Sequence, residues 1–158
     1  MVNYSNSKIY KIEPIVEHDE GEIYIGSTTK KYLSQRMDNH RLCFKSWKSG
    51  KTNKLTVFDL FDKYGIDNCK IYLLESVIAI SKDELLAREG YYIKTLKCIN
   101  RCIVGRTRKE YYIDNKDKIN QICICDICNC NYTKSHKSHH EKSLKHQNNL
   151  NIINDNSL

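Results

Sequence analysis

The sequence is poor in residues that break or loosen a chain. Its 158 residues include one proline, six glycines and one tryptophan. This excludes collagen-like, Pro-rich and Gly/Ser-linker proteins. No apolar run approaches the roughly 20 residues a membrane helix needs. The best stretch, residues 71–80, is interrupted by Glu75 and Ser76. The opening MVNYSNSKIYKI has no apolar core of a secretory signal. An intracellular, reducing setting is therefore expected, where eight cysteines are metal ligands or buried thiols rather than disulfides. A hydrophobic content of 40% with 11 tyrosines excludes a wholly disordered chain.

What is present is basic. There are 26 Lys and Arg against 19 Asp and Glu, a net charge of +7. That balance fits a polyanionic partner without identifying one.

Cysteine and histidine are unevenly spread. Residues 123–146 hold four of the eight Cys and four of the six His. The chain therefore reads as a mixed α and β module (1–105), a charged and partly helical linker (106–121), a Cys/His-rich module (122–147) and a flexible, Asn-rich tail (148–158). In the first module, alternation from Ile9 to Glu13 predicts a strand, EHDEGE a turn, and Glu22–Gly26 a second strand. The stripe Leu33, Met37, His40, Phe44, Trp47 predicts a helix over 30–48, stopped near Gly50. A second helix is predicted over 55–64, a strand over 70–80, and a helix from the Ser81/Glu84 capping box to about Leu96. The order is β-β-α-α-β-α.

Three ionisable residues sit where apolar ones are expected. Glu89 lies within the stripe Leu85, Leu86, Tyr92, Ile93, Leu96, and a buried carboxylate needs a pair, hydrogen bonds or a metal. Arg36 and His40 are four apart and share a helix face. Arginine can clamp a phosphate and histidine can relay a proton. Taken singly, each also reads as a structural pair or a satisfied core residue. Three on two inward faces point to chemistry.

The ordered set Lys8-Ile9-Tyr10, Tyr24-Ile25-Gly26, Arg36-x3-His40, Glu89-Gly-Tyr-Tyr-Ile93 and Asn100 resembles the GIY-YIG nuclease family over about residues 7–102. The resemblance implies an α+β fold with a small three-stranded antiparallel sheet flanked by helices and an active site on the sheet face. It implies a metal-dependent DNA endonuclease. Tyr10 and Tyr24 would line the site, Arg36 would stabilise the scissile phosphate, and His40 would move a proton or position the phosphate. Glu89 would hold one Mg²⁺ or Mn²⁺, with Gly26 and Asn100 in support. Charge developing on phosphate oxygens is stabilised by a guanidinium and a hard cation, which suits these roles. Tyr10 is the expected general base, with His40 the second candidate. Two departures stand out. Lys8 replaces the usual first glycine, at a strand start or as an added phosphate contact. The 13-residue connection between Tyr10 and Tyr24 is acidic and is expected to project away from the cleft. Glu75 reads as a strand residue without a catalytic role.

In the second module, Cys125-x2-Cys128, eleven residues, His140, five residues and His146 form a Cys₂His₂ zinc pattern. Cys123 or Cys130, and His136 or His139, are alternative ligands. A ββα-type finger is expected, its small apolar core drawn from Tyr132 and Leu144. So short a module requires the metal to fold. Cys128, Tyr132, Lys137, His140 and His146-Gln147 also resemble short fingers appended to GIY-YIG proteins of large DNA viruses. A viral origin would place the chain in host cytoplasm or nucleus. Lys134, Lys137, Lys142 and Lys145 are the candidate phosphate contacts of the finger. DNA is the expected partner, with RNA left open, no membrane, and the oligomeric state not specified. The rival readings are a non-catalytic nucleic-acid-binding module on a nuclease fold and a zinc-stabilised interaction protein. The intact set of candidate catalytic residues argues against decay.

Overall fold

Strand β1 (Ser7–Pro14) is the middle of a three-stranded antiparallel sheet, with β2 (Tyr24–Thr28) on one side and β3 (Cys69–Val77) on the other. The computed structural model describes residues 3–155. It divides into two compact units after Arg106.

Both faces of β1 are covered, which explains why apolar residues stand at adjacent positions. Tyr10 and Ile12 pack with Met37, Val57, Phe58, Leu60 and Phe61. Ile9 and Ile25 pack with Leu85 and Ile93. The first group joins the sheet to α1 (Leu33–Lys48) and α2 (Phe58–Tyr64), the second to α3 (Lys82–Thr95). Fully burying a Phe or Leu side chain stabilises by roughly 1.5–3 kcal/mol. Register pairs Tyr10 with Gly26 on β2 and with Leu73 on β3. A bulge between Ile9 and Tyr10 shifts the pairing with β3, which increases local twist.

Local chemistry moves several boundaries. Helix α1 starts at Leu33 rather than 30, because the Thr28 hydroxyl accepts from Lys30 N at 3.1 Å and holds a turn there. Its end is closed by Gly50, whose φ of +74° suits glycine and whose N–H donates to Trp47 O at 2.8 Å. Helix α2 starts at Phe58 rather than 55, after a tight turn in which Phe58 N donates to Leu55 O. Strand β3 ends at Val77, short of 80. Ile80 N is drawn off by the Glu84 carboxylate at 2.8 Å, while the Ser81 hydroxyl accepts from Glu84 N at 3.2 Å. No residue of the acidic connection lines the cleft that Ser27 and Arg36 border. Glu22 is taken up by Lys63 and Tyr64 of α2, so β2 begins only at Tyr24.

The second unit begins with α4 (Arg108–Ile119), a helix within the segment 106–121 where a partly helical linker is expected. A capping box starts it: Thr107 accepts from Glu110 N, and the Glu110 carboxylate accepts from Thr107 N at 2.8 Å. A short hairpin follows, β4 (Ile122–Ile124) and β5 (Asn131–Thr133). Two helices complete the unit, α5 (Lys137–Glu141) and α6 (Leu144–Asp155). The flexible tail expected from 148 is a correction: α6 continues through Asp155, with Leu150 half-buried and no Gly or Pro to stop it. No helix among the described residues is long and apolar enough to cross a membrane.

Candidate functional site

Arg36, Tyr10 and His40 form one hydrogen-bonded chain. Arg36 Nε donates to Tyr10 Oη at 2.9 Å, and Tyr10 Oη lies 2.9 Å from His40 Nε2. The phenol oxygen has two lone pairs, so it donates to a bare His40 Nε2 or accepts from a protonated one according to the tautomer the ring holds. Tyr10 comes from β1 and the other two from successive turns of α1. Tyr24 joins through its ring, 5.9 Å from His40 in an edge-on contact.

Burial sets the protonation states. Tyr10 is 0% exposed, and desolvation holds its phenol above the ordinary range against the opposing pull of Arg36. His40 is pushed down to about 3, first by burial and then by the positive charge of Arg36. The imidazole is therefore neutral at physiological pH. Desolvation, more than the nearby carboxylate, also raises Tyr24.

Glu89 is 7% exposed on α3, and Ser27 Oγ donates to its Oε2 at 2.5 Å. Burial raises its pKa, opposed by Ser27 and Arg36. Its charge reaches Tyr10, Tyr24 and Arg36. The five candidate residues therefore form one cluster. A hard divalent cation fits Glu89 chemically. The carboxylate is largely desolvated, and its hydrogen-bond partner Ser27 is a neutral hydroxyl.

Gly26 and Asn100 support this cluster through the backbone. A Cβ at Gly26 would lie 2.5 Å from Tyr10 Oη, so the phenol crosses β2 only because the side chain is missing. Asn100 accepts from Ile25 N and donates to Ile25 O, both at 2.8 Å, as a neighbouring strand would. Lys8 is turned to the carbonyls of Asn6 and Lys30. Glu75 is held by Arg88 through two bonds, at 2.6 and 3.1 Å. Ser27 was missed in the sequence reading. Its signal is its place directly after Tyr24-Ile25-Gly26, two strand positions from Ile25 and so on the face that α3 covers.

The second unit gathers Cys125, Cys128, His140 and His146, with one ligand atom from each all within 4.8 Å of one another. Cys125 Sγ lies 3.4 Å from His146 Nδ1, Cys128 Sγ 3.4 Å from His140 Nε2, and the two nitrogens are 3.3 Å apart. A tetrahedral zinc with bonds of about 2.3 Å to sulfur and about 2.0 Å to nitrogen requires edges of about 3.3–3.8 Å. The donor set fits zinc. Contact with His140 lowers the Cys125 thiol to about 6, toward the thiolate a metal binds. Asn129 makes the knuckle at φ 50° and donates to Cys125 O at 2.8 Å.

The single finger helix is corrected to two pieces. Six positions along one continuous helix turn through about 600°, placing the two histidines on different faces. The break at Lys142–Ser143 turns both rings inward. Tyr132 stacks on the His140 ring at 4.7 Å, but Leu144 is 82% exposed and is not part of the core. Leu144 opens α6 immediately after the break, on the outer side. Among the candidate phosphate contacts, Lys134 donates to Gln121 at 3.3 Å and Lys137 pairs with Glu141 at 3.8 Å. Lys145 is raised by contact with the Cys130 thiol. Lys142 makes no such contact among the described residues.

A family model described as the GIY-YIG catalytic domain matches residues 7–101. Comparisons with curated proteins and with solved structures find no match.

Proposed function

The chain belongs to the GIY-YIG family of endonucleases, and from that premise we propose a divalent-metal-dependent enzyme that hydrolyses phosphodiester bonds in DNA. Its Cys₂His₂ module binds zinc and helps hold the nucleic acid. The observation that carries this reading is the Arg36–Tyr10–His40 chain beside the buried carboxylate of Glu89.

The scissile phosphate sits against Arg36, whose terminal nitrogens bind its oxygens. Arg36 also favours the phenolate of Tyr10, the form able to take the attacking water's proton as the bond from phosphorus to the leaving sugar oxygen breaks. Neutral His40 positions that oxygen of Tyr10. Tyr24 walls the site and helps exclude water. Mg²⁺ or Mn²⁺ on Glu89 would stabilise negative charge on the phosphate and activate bound water. Zinc on Cys125, Cys128, His140 and His146 would act as a structural staple.

The test is nicking of supercoiled plasmid with Mg²⁺ or Mn²⁺. Glu89→Ala is expected to lower the rate about 10²–10³-fold, typical for loss of a group acting on transition-state charge, with DNA affinity within a few fold. Full activity in that variant would remove the assignment of Glu89 to the metal. A folded wild type inert on plasmid and on branched DNA would favour the binding-only reading.

A further inference from the structure

Beside the catalytic cluster lies a cleft of about 280 Å³. Ser27 and Arg36 form one wall and are already part of the site. The loop after β2 adds Thr29 and Lys30, α1 adds Asn39, and the start of α3 adds Lys82. No acidic residue among the described ones lines it.

Lys11, Lys48, Lys54, Lys63 and Lys97 each face a carboxylate. Lys31, Lys45, Lys51, Lys70 and Lys94 do not among the described residues, and what sets Lys30 and Lys82 apart is that both line this one cleft. No carboxylate pairs with Lys30 or Lys82 among the described residues. The loop carrying Lys30 is also fixed. Its N–H donates to Thr28 Oγ1 at 3.1 Å, and its carbonyl accepts from Lys8 Nζ at 3.3 Å. Two uncompensated ammonium groups from separate elements, together with Arg36, surround a concave space that continues the site. Tyr4 and Leu86 give that space an apolar wall.

We propose that this cleft is a second phosphate subsite. Lys30 and Lys82 hold the backbone phosphate next to the scissile one, and the intervening sugar and base pack on Tyr4 and Leu86. The proposal rests on the nuclease reading. It explains how a single strand is held in register while Arg36 engages the bond to be cut, since phosphate contacts position a nucleic acid without reading its sequence. It also gives Lys8 a function: its side chain buttresses the Lys30 loop instead of touching DNA.

The test uses the full zinc-loaded chain carrying Glu89→Gln to block cleavage, with a short labelled DNA duplex as probe and anisotropy as readout over a range of salt. Lys30→Gln with Lys82→Gln is expected to weaken binding about tenfold. It should also flatten the slope of log affinity against log salt by about 0.9, the value of one phosphate. Lys94→Gln, on the exposed part of α3, serves as the charge control. An unchanged slope in the double variant, or an equal change in the control, overturns the subsite. Plasmid nicking by the wild type is read in parallel. Nicking with an unchanged slope sinks the subsite and leaves the nuclease reading standing. A wild type that neither binds nor nicks overturns both.

Discussion

A methyl group added at Gly26 would lie 2.5 Å from the Tyr10 hydroxyl and 2.7 Å from its ring carbon Cζ. Nothing about the backbone angle there demands glycine; the constraint is the phenol lying over it. Gly26→Ala is expected to destabilise the first unit by about 1–3 kcal/mol, as for other overpacked cores. Activity should fall further than stability, because Tyr10 carries both Arg36 and His40. Trp47 is the sole tryptophan and stacks on Phe58 at 5.4 Å, so its fluorescence in urea reports this unit alone. His40 makes a second residue-scale prediction. Its folded pKa of about 3 is below the ordinary 6.5. Its contribution to stability is therefore whole above pH 6.5 and is lost as pH falls toward 3. The unfolded chain gains the proton, giving a slope of about 1.4 kcal/mol per pH unit. Glu89 works in the opposite sense, since its raised folded pKa lets it take up a proton first. The slope should thus stand clear in Glu89→Gln between pH 6.5 and 5, measured by Trp47 fluorescence. It should vanish when His40→Gln is added.

At the scale of elements, the two edges of the sheet are treated differently. The outer edge of β2 is closed by Ile99 N on Ile23 O at 2.9 Å and by the Asn100 amide on both polar groups of Ile25. This side-chain mimic of a strand fixes the strip that carries Tyr24, Gly26 and Ser27. Asn100→Ala is expected to destabilise by about 1–3 kcal/mol, the usual penalty for unsatisfied buried polar groups. Its nicking rate should fall while its metal requirement stays unchanged, since Asn100 positions β2 and does not touch the reacting atoms. Equal rates for variant and wild type would remove that positioning role. In the second unit the matching device is the α5–α6 break, which converts a histidine spacing unsuited to one helix into a convergent pair of nitrogens.

For the molecule as a whole, the proposed function predicts a separate metal dependence for each unit. Removing zinc with a chelator, or replacing Cys125 and Cys128 by Ser, is expected to melt the second unit. The Trp47 signal of the first should persist. DNA affinity should drop more than the rate of a saturated cleavage step. If affinity is unchanged, the finger has no part in holding DNA. Circular dichroism, intrinsic fluorescence and anisotropy on one sample separate these outcomes.

The sequence by itself determined the parts whose signal is local. Period-two and helical stripes located the strands and helices of the first unit. The Ser81/Glu84 and Thr107/Glu110 pairs both signal helix starts, although only the first was read that way. The Cys and His spacing isolated the ligands now found within 4.8 Å of one another. The ordered tyrosines, Arg36, His40 and Glu89 pointed to the family whose model matches residues 7–101. Tertiary structure decided whatever depends on groups distant in sequence. It buried Tyr10 completely, set its hydroxyl against His40, put Ser27 on Glu89 and made Asn100 a surrogate strand. It folded the acidic connection onto α2, split the finger helix and left Lys30 and Lys82 unpaired around a cleft. The physical reason is range. Backbone propensity and periodicity act over a few residues and are written in the local sequence. Desolvation, hydrogen-bond direction and steric exclusion depend on which surfaces meet, and only the folded chain brings them together.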